Sequence, residues 1–257
     1  MSEPSPLLLE LGKIVRRAGA LAQKEREKMV SEFKPDGSIV TNADRNVELF
    51  LRDELPKLIP GTGIWGEEFP WDEPMAAGNW AVDPVDGTSN FSFGGLVWGV
   101  TVGLMQEGKC VTGAIFLPDL GEVYLAQKGE GAWLNGKLIP QIKPGAINDH
   151  ELVSYDDMLV RRYPDVRIPG KMRCYGAFVV DATFTANQRF RGMIGRRESL
   201  YDIAASVLVL EEAGAEIRYA DGTEFLLSEL CDGQNITKPW LMFPPNNGFY
   251  LEAHPSS

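Results

Sequence analysis

A mixed α and β fold, with sheets layered between helices, is what the 257-residue sequence predicts. Three observations point to it. Apolar residues recur at helical spacing near the N-terminus, at Leu7, Leu11, Ile14, Val15, Ala18 and Leu21. Three apolar runs between Val97 and Gln127 are separated by turn signals, as in an antiparallel sheet. Beyond His150, strand-like and helix-like segments alternate. The chain is long enough to bury a full core, as one large domain or two closely packed halves. A composition shift from Lys143 to His150 divides it into residues 1–145 and residues 146–257, two halves expected to pack closely as one unit.

Taken in order, residues from about Pro6 to Val30 form the first amphipathic helix, and Lys34-Pro35-Asp36-Gly37-Ser38 is a turn. Val40 to Asp44 leads into a second helix through Leu58, with Val47, Leu51 and Leu55 inward and Pro60-Gly61 closing it. Ile64-Trp65-Gly66-Glu67-Glu68 reads as a short strand ending in two acids. Strands then follow over Val97–Met105, Cys110–Leu117 and Glu122–Gln127, with a hairpin turn at Leu134-Asn135-Gly136-Lys137. In the second half, strands are expected near Leu152, near Arg173 and over Arg189–Ile194. Helices are expected over Tyr155–Arg162, Gly176–Asn187 and Asp202–Ala213, the last capped by Gly214.

Composition removes several classes of function. Lys+Arg 25 against Asp+Glu 36 gives a net charge of −11, which disfavours nucleic acid and acidic membrane surfaces as partners. With only His150 and His254, and with Cys110, Cys174 and Cys231 widely spaced, a zinc or copper site is disfavoured. The cysteines read as reduced thiols. Any metal must be held mainly by oxygen. Met1-Ser2-Glu3-Pro4 lacks the basic start and apolar run of a signal peptide. The apolar stretch around Leu96 to Met105 is too short and glycine-broken to span a membrane, so a cytoplasmic location is expected.

The chemistry concentrates in Trp80-Ala81-Val82-Asp83-Pro84-Val85-Asp86-Gly87-Thr88-Ser89-Asn90-Phe91. A buried strand ends in two carboxylates, Gly87 frees the chain to turn, and Thr88 and Ser89 start a helix. Such a start offers unpaired N–H groups to a phosphate. Alone, Glu67 and Glu68 read as surface charge, and Asp44 and Asp202 as helix caps. Together, Glu67, Asp83, Asp86 and Asp202 each sit at the end of an element beside glycine or a turn. Two such charges about 4 Å apart cost roughly 1 kcal/mol in water and about 4 kcal/mol at an effective dielectric near 20. Converging carboxylates therefore call for a cation, and an all-oxygen donor set favours Mg2+.

Asp83 to Phe91 matches at every fixed position the pattern Asp-Pro-x-Asp-Gly-Thr-x-Asn-Phe, and the chain resembles the inositol monophosphatase superfamily of lithium-sensitive, Mg2+-dependent phosphatases. Gly66-Glu67-Glu68 resembles an upstream motif of that family, and Lys34 with Thr41-Asn42-Ala43-Asp44 its N-terminal block. Tyr201-Asp202-Ile203-Ala204-Ala205-Ser206 resembles the downstream Trp-Asp-x-Ala-Ala-Gly motif, departing at its first and last positions. The resemblance implies an α-β-α-β-α sandwich of the inositol monophosphatase and fructose-1,6-bisphosphatase type, commonly a homodimer, hydrolysing a small phosphorylated metabolite. It further implies that Glu67, Asp83, the carbonyl of Val85, Asp86 and Asp202 hold two or more Mg2+ ions. Gly87 and Thr88 would grip the phosphate, and Thr88 with Asp44 would orient the attacking water, with Glu67 also catalytic.

Substrate choice is less sharply written. A carboxylate seven residues before the downstream Asp reads sugar hydroxyls in inositol-hydrolysing members, and this chain has Gly195 there. Gly176-Ala177 resembles the small-residue turn beside the substrate, and Arg196 and Arg197 are expected to read a second anionic group unless they lie in a solvated loop or a dimer contact. An inositol-1-phosphate-like polyol or a sugar phosphate is expected. Histidinol phosphate, fructose 1,6-bisphosphate and a 3′-phosphonucleotide are the alternatives. A metal-binding regulatory protein without turnover is the alternative outside enzymology.

Overall fold

The computed structural model describes residues 3–35 and 37–251. Met1, Ser2, Asp36 of the expected turn and residues 252–257, which include His254, lie outside the described residues.

Helix α1 (Pro6–Arg26) starts where the Ser5 hydroxyl accepts the Leu8 N–H and Pro6 fills the first turn. It buries Leu8, Leu11, Val15, Ala18 and Ala22. The expected extension to Val30 is incorrect. The buried face ends at Ala22, and past Arg26 the chain turns into a two-stranded ribbon, β1 (Ser31–Phe33) antiparallel to β2 (Ile39–Thr41). Helix α2 (Asn42–Leu58) follows, opened by a capping box between Thr41 and Asp44.

Seven strands form the larger sheet in sequence order: β3 (Gly63–Gly66), β4 (Asn79–Asp86), β5 (Gly99–Gln106), β6 (Lys109–Leu117), β7 (Glu122–Gln127), β8 (Gly131–Leu134) and β9 (Lys137–Leu138). Among the described residues of this sheet, only the β3–β4 pair is parallel. The short helix α3 (Thr88–Ser92) leaves the end of β4. The smaller sheet contains β10 (Leu152–Ser154), β11 (Lys171–Arg173), β12 (Gly192–Gly195), β13 (Glu216–Tyr219) and β14 (Trp240–Phe243), in spatial order β11-β10-β12-β14-β13. Helices α4 (Asp157–Arg162), α5 (Phe178–Ala186) and α6 (Leu200–Glu212) complete the chain.

Three apolar clusters stack these elements into five layers. One packs α1 and α2 on one face of the large sheet through Leu11, Val15, Val47, Val100 and Val102. Gly19 permits the close approach, since a Cβ there would lie 2.5 Å from the Phe116 ring. A second cluster packs α5 and α6 between the two sheets through Val179, Ile203, Leu208 and Met242. A third covers the outer face of the small sheet with Leu159 of α4, against Val153 and Leu241. The order is α-β-α-β-α, as expected. Truncating a fully buried member such as Leu208 to Ala costs about 2–5 kcal/mol.

Several boundaries differ from the sequence reading. The strand expected from Val97 starts at Gly99, and the helix expected from Gly176 starts at Phe178, because Gly176 has φ +71°. The strand expected over 189–194 occupies Gly192–Gly195. Strands β13 and β14 were not expected; they pair with each other, and β14 pairs with β12, a long-range arrangement without a local signal.

Candidate active site

Asp44 and Thr88 meet where α2 begins and β4 ends. One Asp44 oxygen, Oδ2, accepts the Thr41 N–H at 2.8 Å and the Thr41 hydroxyl at 2.5 Å. The other, Oδ1, accepts the Thr88 hydroxyl at 3.1 Å. That hydroxyl also lies 3.0 Å from the Val85 carbonyl. Asp44 is thus both a capping residue of α2 and a partner of Thr88, two roles its two oxygens divide. Burial raises its pKa, against the lowering effect of the Thr41 hydrogen bonds.

Asp83 and Asp86 reach one cleft because β4 is irregular. In a regular strand residues three apart face opposite sides. The register of β4 against β5 shifts between Asp83 and Asp86, around Pro84, which has no N–H for the ladder. Each carboxylate then feels the other. Asp83, 2% exposed, is held well above the usual carboxylate range by burial, then by the charges of Glu67, Asp86, Asp202 and Asp44. Asp86 is pushed up to about 7 by burial, against the pull of the Val179 and Phe178 N–H groups. The Val179 N–H donates to Asp86 Oδ2 at 2.5 Å. Asp86 therefore serves the start of α5, whose own N-cap Ala177 offers no side-chain acceptor.

Asp202 enters from the first turn of α6. The cap is Ser199, not Asp202 as the sequence suggested: Asp202 Oδ2 accepts the Ser199 N–H at 2.7 Å from the third helical position. Burial, then Asp86 and Glu67, holds Asp202 well above the usual range. Glu67 closes the group, its charge adding to the rise at Asp83. Its Oε1 and that of Glu68 each accept the Lys34 ammonium at 2.8 Å. Burial raises Glu67 while Lys34 opposes the shift. Beside Glu67 opens a cleft of about 240 Å³ lined by Trp71, Ser199, Tyr201, Gln234 and Asn235.

Among the described residues, no three His, Cys, Asp or Glu side chains are placed to hold a metal ion together. The donor chemistry nevertheless fits a hard cation. Burial holds all four carboxylates above their usual range, neighbouring acids push Asp83, Asp86 and Asp202 further the same way, and the charge facing Glu67 is the Lys34 ammonium.

Gly87, Thr88, Gly176 and Ala177 also come together. Gly87 has φ +88°, and a Cβ on it would lie 2.8 Å from the Ala177 Cβ, so only glycine lets the two turns touch. Asn90 ties them further, its Nδ2 donating to the carbonyls of Val97 at 2.8 Å and Tyr175 at 2.7 Å. Arg196 is committed elsewhere, donating to Asp156 Oδ2 at 2.8 Å, and Arg197 is exposed. At Gly195 any Cβ would collide with the Trp240 indole, so no carboxylate can stand there without displacing it. The sequence reading missed Thr41, Asn90, Phe178 and Val179 as builders of the site; only Thr41 and Asn90 carried a local signal, inside motifs already noted.

The sequence model described as "Inositol monophosphatase family" matches residues 5–239. A histidinol-phosphatase of Chlorobaculum parvum is 34% identical over 194 residues, covering 70% of this chain and 72% of that protein. An inositol-1-monophosphatase of Rhizobium meliloti is 31% identical over 251 residues, covering 91% and 94%. A solved inositol monophosphatase of Thermotoga maritima superposes with a TM-score of 0.80 at 24% identity, covering 93% of this chain and 92% of that one.

Proposed function

The chain belongs to the inositol monophosphatase family, and on that premise we propose that it hydrolyses a small phosphate monoester in an Mg2+-dependent reaction. It is a phosphoric monoester hydrolase. The observation that carries the finer reading is the Thr88–Asp44 hydrogen bond beside the carboxylates of Glu67, Asp83, Asp86 and Asp202. Those four side chains and the Val85 carbonyl would hold two or more ions. Bound there, Mg2+ lowers the pKa of water and offsets the charge of phosphate and departing oxygen.

The chain's own groups do the rest. Gly87 and Thr88 begin α3, where N–H groups have no turn carbonyl to donate to, and they grip the phosphate. The Thr88 hydroxyl carries one proton and has two acceptors within reach, Asp44 and the Val85 carbonyl. Its oxygen is left to accept from a third group, the attacking water, while Asp44 takes up proton density. Residues 1–145 and 146–257 act as one catalytic unit; the Asp86–Val179 bond across them supports this. By family resemblance alone, lithium inhibits and the working assembly is a homodimer.

The substrate is a polyol or sugar phosphate in the first reading. Histidinol phosphate is the second, favoured by Gly195, where no carboxylate stands to read polyol hydroxyls, and by the name of the Chlorobaculum relative. The test is phosphate release from inositol 1-phosphate, histidinol phosphate, fructose 1,6-bisphosphate and a 3′-phosphonucleotide, with Mg2+ and with EDTA. No Mg2+-dependent release from any of them would overturn the proposed reaction.

A further inference from the structure

Helix α2 carries Asp44, Glu48 and Arg52 four residues apart, along one face. We propose that Glu48 and Arg52 are positioning residues that brace Glu67 and thereby set the metal affinity of the site. The inference rests on the proposed role of Glu67.

Glu48 is fully buried, and its two oxygens are divided. Oε2 accepts the Glu68 N–H at 2.7 Å, and Oε1 accepts Arg52 Nε at 2.9 Å. The Arg52 fork then reaches onward, donating to the Pro70 carbonyl at 2.8 Å and the Phe69 carbonyl at 3.3 Å. Its guanidinium lies 5.7 Å from the centre of the Phe69 ring. The backbone of the three residues after Glu67 is thus pinned to α2. The residue before it is pinned by space, because a Cβ at Gly66 would collide with the Glu48 carboxylate. Burying a carboxylate is costly unless its partners are well placed. Here the partners are the loop that presents Glu67, and the same helix presents Asp44 to Thr88. A rigid helix therefore spaces the two sides of the site.

Groups that orient metal ligands commonly change metal affinity tenfold to a hundredfold when removed. The variants are Glu48→Gln, which keeps the volume and an acceptor but loses the charge facing Arg52, and Arg52→Met, which keeps the stem and removes every donor. Arg52→Lys keeps the charge but cannot span both carbonyls. Asp53→Asn, on an exposed side chain, is the control. The measurement is the Mg2+ concentration at the midpoint of the Mg2+-induced rise in melting temperature, alongside the Mg2+ dependence of turnover. Glu48→Gln and Arg52→Met are expected to raise both midpoints about tenfold or more, with kcat at saturating Mg2+ preserved and Arg52→Lys intermediate. If Glu48→Gln does not fold, Arg52→Met decides the matter. A wild-type response with unshifted midpoints in the variants, whatever their melting temperature in EDTA, overturns the brace alone. No Mg2+ response in the wild type overturns the proposed metal site, and the brace with it.

Discussion

The Thr88 hydroxyl donates to Asp44 Oδ1 at 3.1 Å, while the other Asp44 oxygen is held by Thr41. A side chain whose partner is so fixed has few orientations left, which suits a group that must aim a water molecule. Thr88→Ala is expected to lower kcat by about 100-fold or more and to leave KM nearly unchanged, since the phosphate-gripping N–H groups survive. Thr88→Ser, which keeps the hydroxyl, is expected to retain most of the rate. Unchanged kcat with a lower melting temperature in the alanine variant would reduce Thr88 to a helix-starting residue.

Asp83 is the most deeply placed of the four acids and feels all the others. Asp83→Asn removes one charge from that set and changes the volume little. Turnover is expected to be nearly abolished, while the melting temperature in EDTA rises because the remaining carboxylates repel less. A variant retaining more than about a tenth of wild-type turnover at saturating Mg2+ would remove Asp83 from the proposed ligand set.

Without metal, stability should fall as pH rises. Burial pushes Asp86 up to about 7. It likewise pushes Asp181 up to about 6, against the Ser154 hydroxyl and the Tyr175 N–H. In the unfolded chain such carboxyls titrate near pH 4, at about 3.9. Between those values the folded protein holds more protons than the unfolded one, so raising the pH favours unfolding. The melting temperature in EDTA is therefore expected to drop from pH 5 to pH 7.5. Saturating Mg2+ should flatten the part due to Asp86, and at about 100 times Kd it adds roughly 2.7 kcal/mol. Melting temperatures that climb with pH in EDTA would contradict this sign.

The Asp83–Phe91 stretch was legible because each of its residues has a local reason to be there: acids, a turn glycine with φ +88°, and a hydroxyl at a helix start. Helices α1 and α2 and strands β5 to β7 were legible because they carry strong periodicity, whereas the five-layer order was implied only by the family resemblance. What escaped is non-local. Nothing near Asp86 in sequence announces that it will serve the start of α5. Glu48 and Arg52 look like the polar side of an amphipathic helix, yet one is fully buried and both face the Glu67 loop. Ser199 and Asp202 were confused because a capping box pairs two residues, and either resembles the first. Strands β13 and β14 exist because they pair with each other and β14 pairs with β12, a choice settled only once the chain has folded back.

Arg196 and Arg197 were both expected to read a second anion on the substrate, and their surroundings separate them. Arg196 donates to Asp156 Oδ2, while Asp156 Oδ1 caps α4 by accepting the Leu159 N–H at 2.8 Å. Arg196 thus fastens the approach to α6 onto the start of α4, and drawing it toward a ligand would break that link. Arg197 is exposed and keeps a guanidinium suited to phosphate or carboxylate. Arg196→Ala is expected to lower stability by about 1 kcal/mol, or roughly 2–4 °C in melting temperature, with substrate preference unchanged. Arg197→Ala is expected to leave the melting temperature alone and to lower kcat/KM for fructose 1,6-bisphosphate more than for inositol 1-phosphate. Equal effects of Arg197→Ala on both substrates would leave it a solvated residue, and a selective loss in Arg196→Ala would restore that residue as the reader of the second anion.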